Sequence, residues 1–342
     1  MALSERKKKI LKSVLKQHER SGEPVASEKL AKKSGLGISS ATLRHELAEL
    51  EELGYLFHPH ASSGRIPTEE GYRFYVHELM ALDPFDEEAE QIFRFMEHRS
   101  AWEMDDFLRN TVANLAEITG APSFAVAPRL SETKISGLEL VPVTAKKVLA
   151  ITVTDSGQVK QKMITLTSPI VREDLKTISG LLQETFKGRK LSEIQQSLLS
   201  RLEQEKEKYG NLLRQAIALS RQWFALEEAE DEIYLEGLPL LLKRQDMDVE
   251  EVRSVLDFLS QPSVLGSFLQ GHAMDAGLTV FIGSENPVPV MRHLSMIISP
   301  YRLGGNQAGA LGIIGPMRMD YDRVAGMVDA TAHRINILLE KY

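Results

Sequence analysis

The sequence predicts an α+β protein of more than one domain, and three observations lead to that prediction. Its 342 residues exceed the usual length of a single domain. The first eighty residues alternate short amphipathic helices with glycine-containing turns and include a predicted β-hairpin. The remainder contains hydrophobic strands with helices on both sides of a long, charge-rich helical block. We expect that block to be an insertion that interrupts one α+β domain.

The composition excludes several classes of protein. The chain has no cysteine, which excludes disulfides, thiolate chemistry and cysteine-ligated metals. It has no run of about 18 apolar residues, and its N-terminus lacks the apolar stretch of a secretory signal. We therefore expect a cytoplasmic protein without a membrane span.

Motifs for catalysis or metal binding are also missing from the sequence. There is no G-x-S-x-G or H-E-x-x-H motif and no paired-carboxylate signature, so we expect no enzyme activity. His58 and His60 stand close together, but the further ligands of a metal site are not found. Gly304-Gly305-Asn306 lacks the lysine of a phosphate loop, and the flanking strands favour a hairpin turn. We expect neither a metal nor another cofactor.

The charge is unevenly distributed along the chain. The net charge is −7, yet residues 1–45 contain eleven Lys or Arg against four Asp or Glu. A basic segment on an otherwise acidic chain is typical of a local nucleic-acid contact. A solvated helical face would carry the same charges, so the pattern of the elements has to decide between these readings.

The first predicted helix covers residues 4–20, with Ser4 as its N-cap. Its apolar residues fall on one face at helical spacing, and lysines crowd the rest of the surface. The apolar residues are Ile10, Leu11, Val14 and Leu15. The turn Ser21–Pro24 ends this helix.

Two shorter predicted helices follow, joined by the turn Ser34–Gly37. Ser27 caps the first, and Ser39 or Ser40 caps the second, which runs from Ala41 to Leu53. The second helix turns Leu43, Leu47 and Leu50 toward the core. Two short helices joined by a tight glycine-containing turn form a helix-turn-helix, whose second helix would enter the major groove of DNA.

The exposed start of that second helix supplies the candidate DNA contacts. These are Ser39, Ser40, Thr42, Arg44 and His45. Hydroxyls and backbone N–H groups at a helix start suit a phosphate, and an arginine suits a guanine edge or a phosphate. Glu49, Glu51 and Glu52 at the far end would repel DNA, so we expect only the first two turns to approach it.

A hairpin directly after the recognition helix completes the pattern of a winged helix-turn-helix. Tyr55–Phe57 and Arg65–Pro67 predict two short strands around a turn-rich segment. The candidate contacts of this wing are His60, Ser62, Ser63 and Arg65. We expect Arg65 and the hydroxyls to reach the minor groove or phosphates. Thr68 then caps another helix, with Glu69 and Glu70 in its first turn.

One alternative is a protein-interaction scaffold that does not bind DNA. The basic patch stands beside an acid-free run, Ser39–His45, at the start of the recognition helix. That arrangement favours the DNA-binding interpretation over the scaffold.

The rest of the chain combines core helices with strands. A helical stripe within residues 83–120 predicts core packing; it consists of Trp102, Phe107, Leu108, Val112, Leu115 and Ile118. Val148–Val153 and Gln158–Leu166 predict a hairpin. Residues 248–259 and 324–339 predict helices, and residues 278–281, 294–301 and 308–314 predict strands.

The helical block at Val171–Glu232 separates these strand-bearing regions. Its seam follows helical spacing and consists of Leu191, Ile194, Leu198 and Leu202. Such amphipathic helices pack either within their own chain or against a partner, and the seam alone leaves both readings open.

Several runs of residues together resemble one known family. Near the N-terminus they are Gly22–Val25, Ser39–Arg44, Ala48–Leu56 and Ser63–Val76; near the C-terminus they are Ile282–Pro287, Tyr301–Gly305 and Gly312–Tyr321. In combination they resemble the HrcA family of heat-inducible transcription repressors. The chain departs from the family's pattern at His45-Glu46, where Asn-Asp is expected, and at Phe57-His58, where more polar residues ending in glutamine are expected.

The resemblance implies a dimeric repressor of chaperone operons of the groE and dnaK type. Such a repressor binds an inverted-repeat DNA operator, known as CIRCE, through its winged helix. It is inactivated on heat shock and is kept active by the GroE chaperonin. The runner-up hypothesis is a metabolite-responsive winged-helix regulator with an effector in the C-terminal domain.

The resemblance also implies a GAF-like C-terminal domain with an inserted dimerising domain. We therefore expect a winged-helix domain at residues 1–82, followed at 83–170 by linker helices and the first part of the GAF-like domain. The inserted helical dimerisation domain is expected at 171–232, and the second part of the GAF-like domain at 233–342.

Overall fold

The computed structural model describes most of the chain and confirms a mixed α and β architecture with several sheets. The residues described are 3–33, 35, 37–60, 63–82, 104–127, 133–155, 157–166, 168–190, 193–194, 219, 232–243, 249–259, 261, 277–303 and 306–339. Within these residues, no helix is both long enough and apolar enough to cross a membrane.

The elements fall into an N-terminal unit (residues 3–82), a five-stranded sheet with its helices, and a unit inserted between two strands of that sheet. The helices are α1 Glu5–Ser21, α2 Ser27–Lys33, α3 Ser40–Glu52, α4 Glu69–Phe74, α5 Met104–Thr119, α6 Arg172–Phe186, α7 Val249–Leu259 and α8 Tyr321–Leu339. The strands are β1 Leu56–Phe57, β2 Ile66–Pro67, β3 Ser123–Val126, β4 Ile135–Thr144, β5 Lys147–Thr154, β6 Val159–Thr165, β7 Ile233–Glu236, β8 Thr279–Ile282, β9 Leu294–Leu303 and β10 Asn306–Pro316.

Helix α1 begins and ends where its sequence predicts. The Ser4 hydroxyl accepts a hydrogen bond from the backbone N–H of Lys7 at 3.3 Å, and Ile10, Leu11, Val14 and Leu15 are buried. The helix ends at Gly22, which has a φ of +69° and donates its N–H to the His18 carbonyl at 2.8 Å. This positive φ is the conformation that glycine adopts without steric cost.

Helices α2 and α3 form the predicted pair around a glycine-containing turn. Gly35 and Gly37 both have a φ of +64°, which allows the sharp change of direction between the helices. Leu43, Leu47 and Leu50 on α3 are fully buried, as their spacing predicts. Because this seam faces the core, the opposite side of α3 lies at the surface.

The hairpin β1–β2 is extended by a third backbone pairing. The Val25 N–H donates to the Arg65 carbonyl at 2.8 Å, and the Arg65 N–H donates to the Val25 carbonyl at 3.0 Å. A Cβ added at Gly64 would lie 2.3 Å from the carbonyl carbon of Val25. Glycine is therefore the residue that lets the segment between α1 and α2 approach the hairpin closely.

Helix α4 is capped by Thr68, whose hydroxyl accepts a hydrogen bond from the Gly71 N–H at 3.1 Å. It continues into a π-helical turn, Tyr75–Leu79. The capping threonine confirms the helix predicted to begin at this position.

The central sheet has the strand order β7-β3-β10-β9-β8, and every pairing in it is antiparallel. Alternate residues along its strands face opposite sides. One side packs against α5, α8 and the N-terminal unit in a single core, and the other side packs against α7 in a second core. The core stripe predicted for α5 is confirmed, since Phe107, Leu108, Val112 and Leu115 are buried; Trp102 lies outside the described residues.

The inserted unit is larger than the helical block that the sequence predicts. The strands β4, β5 and β6 form a separate three-stranded sheet that packs against α6 in its own core. Strand β3 precedes this unit in the chain and β7 follows it. These two strands pair with each other in the central sheet, with Val126 opposite Ile233. The expected boundary between residues 170 and 171 therefore runs through one core, and β4–β6 belong with the insertion and not with the central sheet. Most of the seam Leu191–Leu202 lies outside the described residues, but Ile194 is buried in this core.

Candidate nucleic-acid interface

The exposed start of α3 brings three of the predicted contact residues together. The Ser39 hydroxyl accepts a hydrogen bond from the Thr42 N–H at 3.2 Å, and its oxygen lies 2.9 Å from the Thr42 hydroxyl. Ser39 and Ser40 are exposed and Thr42 is partly buried. Ser39 thus fixes the first turn of the helix, and it leaves the Ser40 hydroxyl at the surface.

A cleft of about 700 Å³ adjoins this helix start. Its lining comes from the beginning of α1 and from the turn before α3: Glu5, Arg6, Lys9, Gly35, Gly37, Ile38, Ser39 and Thr42. Arg6 and Lys9 are not among the contacts that the sequence predicts. The lysine-rich sequence of α1 indicates a basic face. It does not indicate that this face lies beside α3, because that depends on how the two helices pack.

Arg44 and His45 both lie at the surface of α3, one turn into the helix. No ion pair of Arg44 is found among the described residues. His45 differs, because its Nε2 lies 3.1 Å from a carboxylate oxygen of Glu49 on the same helix. Arg44 is thus available for an external anion, whereas His45 is directed toward its own helix.

Two acidic residues of α3, Glu46 and Glu49, are paired with cations of α1. Arg6 Nε lies 3.2 Å from Glu46, and Lys7 Nζ lies 2.5 Å from Glu49. The hydrogen bond from Lys7 holds the pKa of the Glu49 carboxyl below its ordinary value. The basic face of α1 therefore has an internal role that its sequence alone does not predict, since it offsets two of the negative charges of α3.

Several cations of α1, α2 and α3 have no such partner. Within the described part of the chain, Lys9, Lys29, Lys32 and Arg44 are exposed and no ion pair is found for them. Of these, Arg44 lies on α3 itself and Lys9 lines the cleft at the start of α3, where positive charges favour an anion.

Arg65 lies at the base of the hairpin and has a partner within the chain that its sequence did not predict. Its Nε lies 2.9 Å from Glu51, and only 14% of its side chain is exposed. The backbone pairing with Val25 places Arg65 at the base of the hairpin, where the acidic end of α3 is the nearest charge. Arg65 fastens the hairpin to α3, because its guanidinium is held by Glu51.

The tip of the hairpin is organised by its own hydrogen bonds. His58 Nε2 donates to the Ser63 carbonyl at 2.8 Å, and the Ser63 hydroxyl donates to the His60 carbonyl at 2.8 Å. His60 is exposed, Ser63 is partly buried, and Ser62 lies outside the described residues. His58 is thus used to close the turn, and among the described residues no group of three or more potential metal-binding side chains is found.

The comparisons with known proteins agree on one family. The family model described as "HrcA protein C terminal domain" matches residues 105–325. The heat-inducible transcription repressor HrcA of Desulforudis audaxviator is 33% identical over 347 residues, covering 100% of this chain and 99% of the relative. The chain belongs to the HrcA family.

Other HrcA proteins match over the same length. The HrcA of Moorella thermoacetica is 33% identical, covering 100% of this chain and 99% of the relative. The HrcA of Geobacter sulfurreducens is 33% identical, with coverage of 99% and 98%. Each of these relatives is named a heat-inducible transcription repressor, which is not the name of an enzyme.

The fold of this HrcA-family chain also matches a solved structure. A crystal structure of a protein described as hypothetical, at 2.2 Å resolution, has a TM-score of 0.63 and 22% identity. The match covers 99% of both chains. At this identity the likeness concerns the fold alone.

Proposed function

We propose that the chain is a transcription repressor that binds an inverted-repeat DNA operator as a homodimer. The N-terminal unit acts as a winged helix, with the start of α3 in the major groove and the hairpin as its wing. The observation that carries the proposal is the charge arrangement of α3. Glu46 and Glu49 are paired with α1 and Glu51 is paired with the hairpin, whereas Arg44 and the exposed Ser40 stand at the helix start.

Family membership supports the biological setting of this proposal. The relatives are named heat-inducible transcription repressors, so we propose that this chain represses heat-shock chaperone operons in the cytoplasm. We further propose that heat inactivates it and that the GroE chaperonin restores the active form. The central sheet, with helices on both sides, is in this proposal the GAF-like domain, and the unit β4–β6 with α6 is part of the dimerising insertion.

Binding to a fluorescent inverted-repeat duplex and to a scrambled duplex, at two salt concentrations, tests the proposal. We expect tighter binding to the inverted repeat and weaker binding at the higher salt concentration, because cations that contact phosphates displace condensed counterions. Equal affinity for the two duplexes would argue against a repressor with its own operator.

Two substitutions separate base reading from phosphate contact. Arg44→Ala should weaken binding to the inverted repeat by about 1–3 kcal/mol while changing binding to the scrambled duplex less. Lys9→Ala should weaken binding to both duplexes and reduce the dependence on salt concentration, since it removes a phosphate contact in the cleft.

Arg253→Ala is the matched control for these variants. Arg253 is exposed on α7 beside the central sheet, so its substitution removes one positive charge away from the proposed DNA interface and from the inserted unit. An Arg44→Ala variant that binds like Arg253→Ala would remove Arg44 from the interface.

Heat inactivation has its own test. Repressor that is heated and then cooled should lose binding to the inverted repeat, and added GroE with ATP should restore it. Full binding after heating without the chaperonin would contradict the proposed dependence on GroE.

A further inference from the structure

Three of the sequence runs on which the family resemblance rests do not contact the proposed DNA surface. They are the later part of Ser63–Val76, Ile282–Pro287 and the end of Gly312–Tyr321. In the structure all three meet on one surface between the N-terminal unit and the central sheet. Charged contacts join the units there at two places, and beside the first of them Arg73 and His77 also lie 3.6 Å and 3.2 Å from Glu285.

The first contact joins α4 to the end of β8. The Ser284 N–H donates to the Glu69 carboxylate at 2.7 Å, and the Ser284 hydroxyl donates to the same oxygen at 2.6 Å. Arg73 binds both Glu69 and Ser284. One carboxylate therefore collects three donors, two of which come from the other unit.

Gly283 makes this close approach possible. A Cβ at this position would lie 2.3 Å from the carboxyl carbon of Glu69. Gly283 also has a φ of +55°, a conformation that other residues adopt only at a cost. The backbone at Gly283 is thus shaped to receive the Glu69 side chain.

The second contact joins α1 to the start of α8. Lys16 Nζ lies 2.7 Å from Asp320 and 3.0 Å from Asp322. The Tyr75 hydroxyl donates to Asp322 at 2.6 Å. Asp322 is only 5% exposed, so its charge depends on Lys16 and Tyr75 for compensation.

Apolar packing fills the space between the two charged contacts. The rings of Tyr72 and Tyr321 lie with their centroids 6.0 Å apart at an angle of 50°. Buried residues of α1, α3 and α4 belong to the same core as those of α8 and one side of the central sheet. The N-terminal unit is thus packed onto the central sheet as part of one core.

We infer that Glu69 and Lys16 are positioning residues for operator reading, because their contacts with Gly283-Ser284 and with Asp320 and Asp322 fix the orientation of the recognition helix. This inference rests on the proposed function. In a homodimer the distance between two recognition helices must match the spacing of two half-sites. A fixed orientation lets both helices bind at once, and a loosened one loses that advantage.

Breaking the contact between the units should affect binding to one half-site and binding to two half-sites differently. The side chains at the start of α3 are unchanged when the interdomain contact is broken, so binding to a single half-site should persist. Binding to the complete inverted repeat should weaken by about tenfold or more, because avidity depends on the geometry of the two sites. The preference for one half-site spacing should weaken as well.

Two variants break the first contact from opposite sides. Glu69→Gln removes the charge and keeps the shape of the side chain. Gly283→Ala changes no charge and places a methyl group against the carboxylate of Glu69. Loss of inverted-repeat binding in Gly283→Ala could not result from a change of electrostatic attraction to DNA.

Glu70→Gln is the matched control. Glu70 is the next residue on α4, and the one ion pair found for it in the described part of the chain is with Arg73, at 3.7 Å on its own helix. Its substitution makes the same charge change without touching the central sheet. Lys16→Gln tests the second contact independently, and circular dichroism reports whether each variant is folded.

The orientation itself can be measured without DNA. The chain has no cysteine, so cysteines introduced at the exposed positions Glu28 and Arg292 give two specific sites for nitroxide labels. Labelled chains are diluted with unlabelled ones so that the distances arise within one chain. We expect a narrow distance distribution in the wild type and in Glu70→Gln, and a broad one in Glu69→Gln and Gly283→Ala.

The outcomes distinguish this inference from the proposed function. Narrow distributions in both contact variants would overturn the fixing role of Glu69. Broad distributions with unchanged inverted-repeat affinity and spacing preference would overturn the positioning role. A wild-type chain that binds neither a half-site nor the inverted repeat would overturn the proposed function and the positioning role with it, while the label distances would still decide whether the contact fixes the unit.

Discussion

Glu19 lies one turn after Lys16 on α1 and faces the same acidic start of α8. Its carboxylate is 3.4 Å from Lys16 Nζ, and only 13% of its side chain is exposed. Burial, followed by the negative charge of Asp320, raises the pKa of the Glu19 carboxyl from 4.5 to about 7, against the opposing charge of Lys16. Lys16 thus forms ion pairs with three carboxyl groups, and Glu19 is the one of the three that retains a proton near neutral pH.

This raised pKa predicts a pH dependence of stability. Between pH 4.5 and about 7 the folded state binds the Glu19 proton more tightly than the unfolded chain does. The contribution of Glu19 to the free energy of unfolding therefore falls as the pH rises through this range. We expect Glu19→Gln, which stays neutral, to melt like the wild type near pH 4.5 and at a higher temperature than the wild type at pH 8.

Comparing the two proteins at each pH isolates Glu19 from its titrating neighbours. Lys16, Asp320 and Asp322 are present in both proteins. His18, whose pKa burial lowers, is also present in both. Glu28→Gln, on the exposed face of α2, should leave the melting temperature unchanged at both pH values. A Glu19→Gln effect that is equal at the two pH values would refute the raised pKa.

The roles of single residues could be predicted from sequence where their partners are near in the chain. Ser4, Ser39 and Thr68 each accept a hydrogen bond from a backbone N–H three residues later, so their capping follows from local sequence. Arg65 has its partner 14 positions away, and Lys16 has one 304 positions away. No local pattern contains these pairs, which is why Arg65 was assigned to DNA and Lys16 to a general basic patch.

Among the elements, the hairpin depends on a single close backbone contact. Gly64 stands next to Arg65, which pairs with Val25 in the segment before α2, and a Cβ at Gly64 would overlap the backbone of Val25. We expect Gly64→Ala to lower the free energy of unfolding by about 1–3 kcal/mol, because the added methyl group forces the strands apart. Denaturant unfolding measures this change.

Gly180→Ala provides the comparison for this variant. Gly180 lies within α6, and a methyl group added there meets no atom of the described residues within 4 Å. Because alanine favours a helix more than glycine does, this substitution should raise the free energy of unfolding by about 0.5–1 kcal/mol. Equal effects of the two substitutions would show that close approach at Gly64 is unimportant.

The strands illustrate what an element's own pattern can and cannot predict. The hairpin β5–β6 follows from alternation and a turn signal, and the structure confirms it. Its membership in the inserted unit depends on the pairing of β3 with β7 across the whole insertion. Nothing in the sequence of β4, β5 or β6 marks that long-range pairing, so the sequence analysis assigned them to the central domain.

At the scale of the whole molecule, the cores predict how the protein unfolds. The N-terminal unit shares a core with α8 and the central sheet, whereas the inserted unit has its own. We expect calorimetry to resolve two transitions. Leu11→Ala should shift one transition to a lower temperature and Leu175→Ala the other. Each substitution should lower the free energy of unfolding of its unit by about 2–5 kcal/mol, because both side chains are fully or almost fully buried.

Operator binding should be lost with the transition that Leu11→Ala shifts. That transition unfolds the core that holds α3, whereas the described residues that form the core of Leu175 all belong to the inserted unit. One transition that both substitutions shift equally would show that the two cores unfold together. DNA binding measured along the same temperature ramp makes the assignment direct.

The pairing of Val126 with Ile233 also bears on how a domain can acquire an insertion. Neighbouring strands lie about 5 Å apart, so the two ends of the insertion leave the central sheet side by side. For the sheet, the whole inserted unit is equivalent to one long loop between adjacent strands, and the entropy of closing a loop grows only slowly with its length. A domain of this kind can acquire, enlarge or exchange an inserted unit at this one position in the chain, because the register of its own strands does not change.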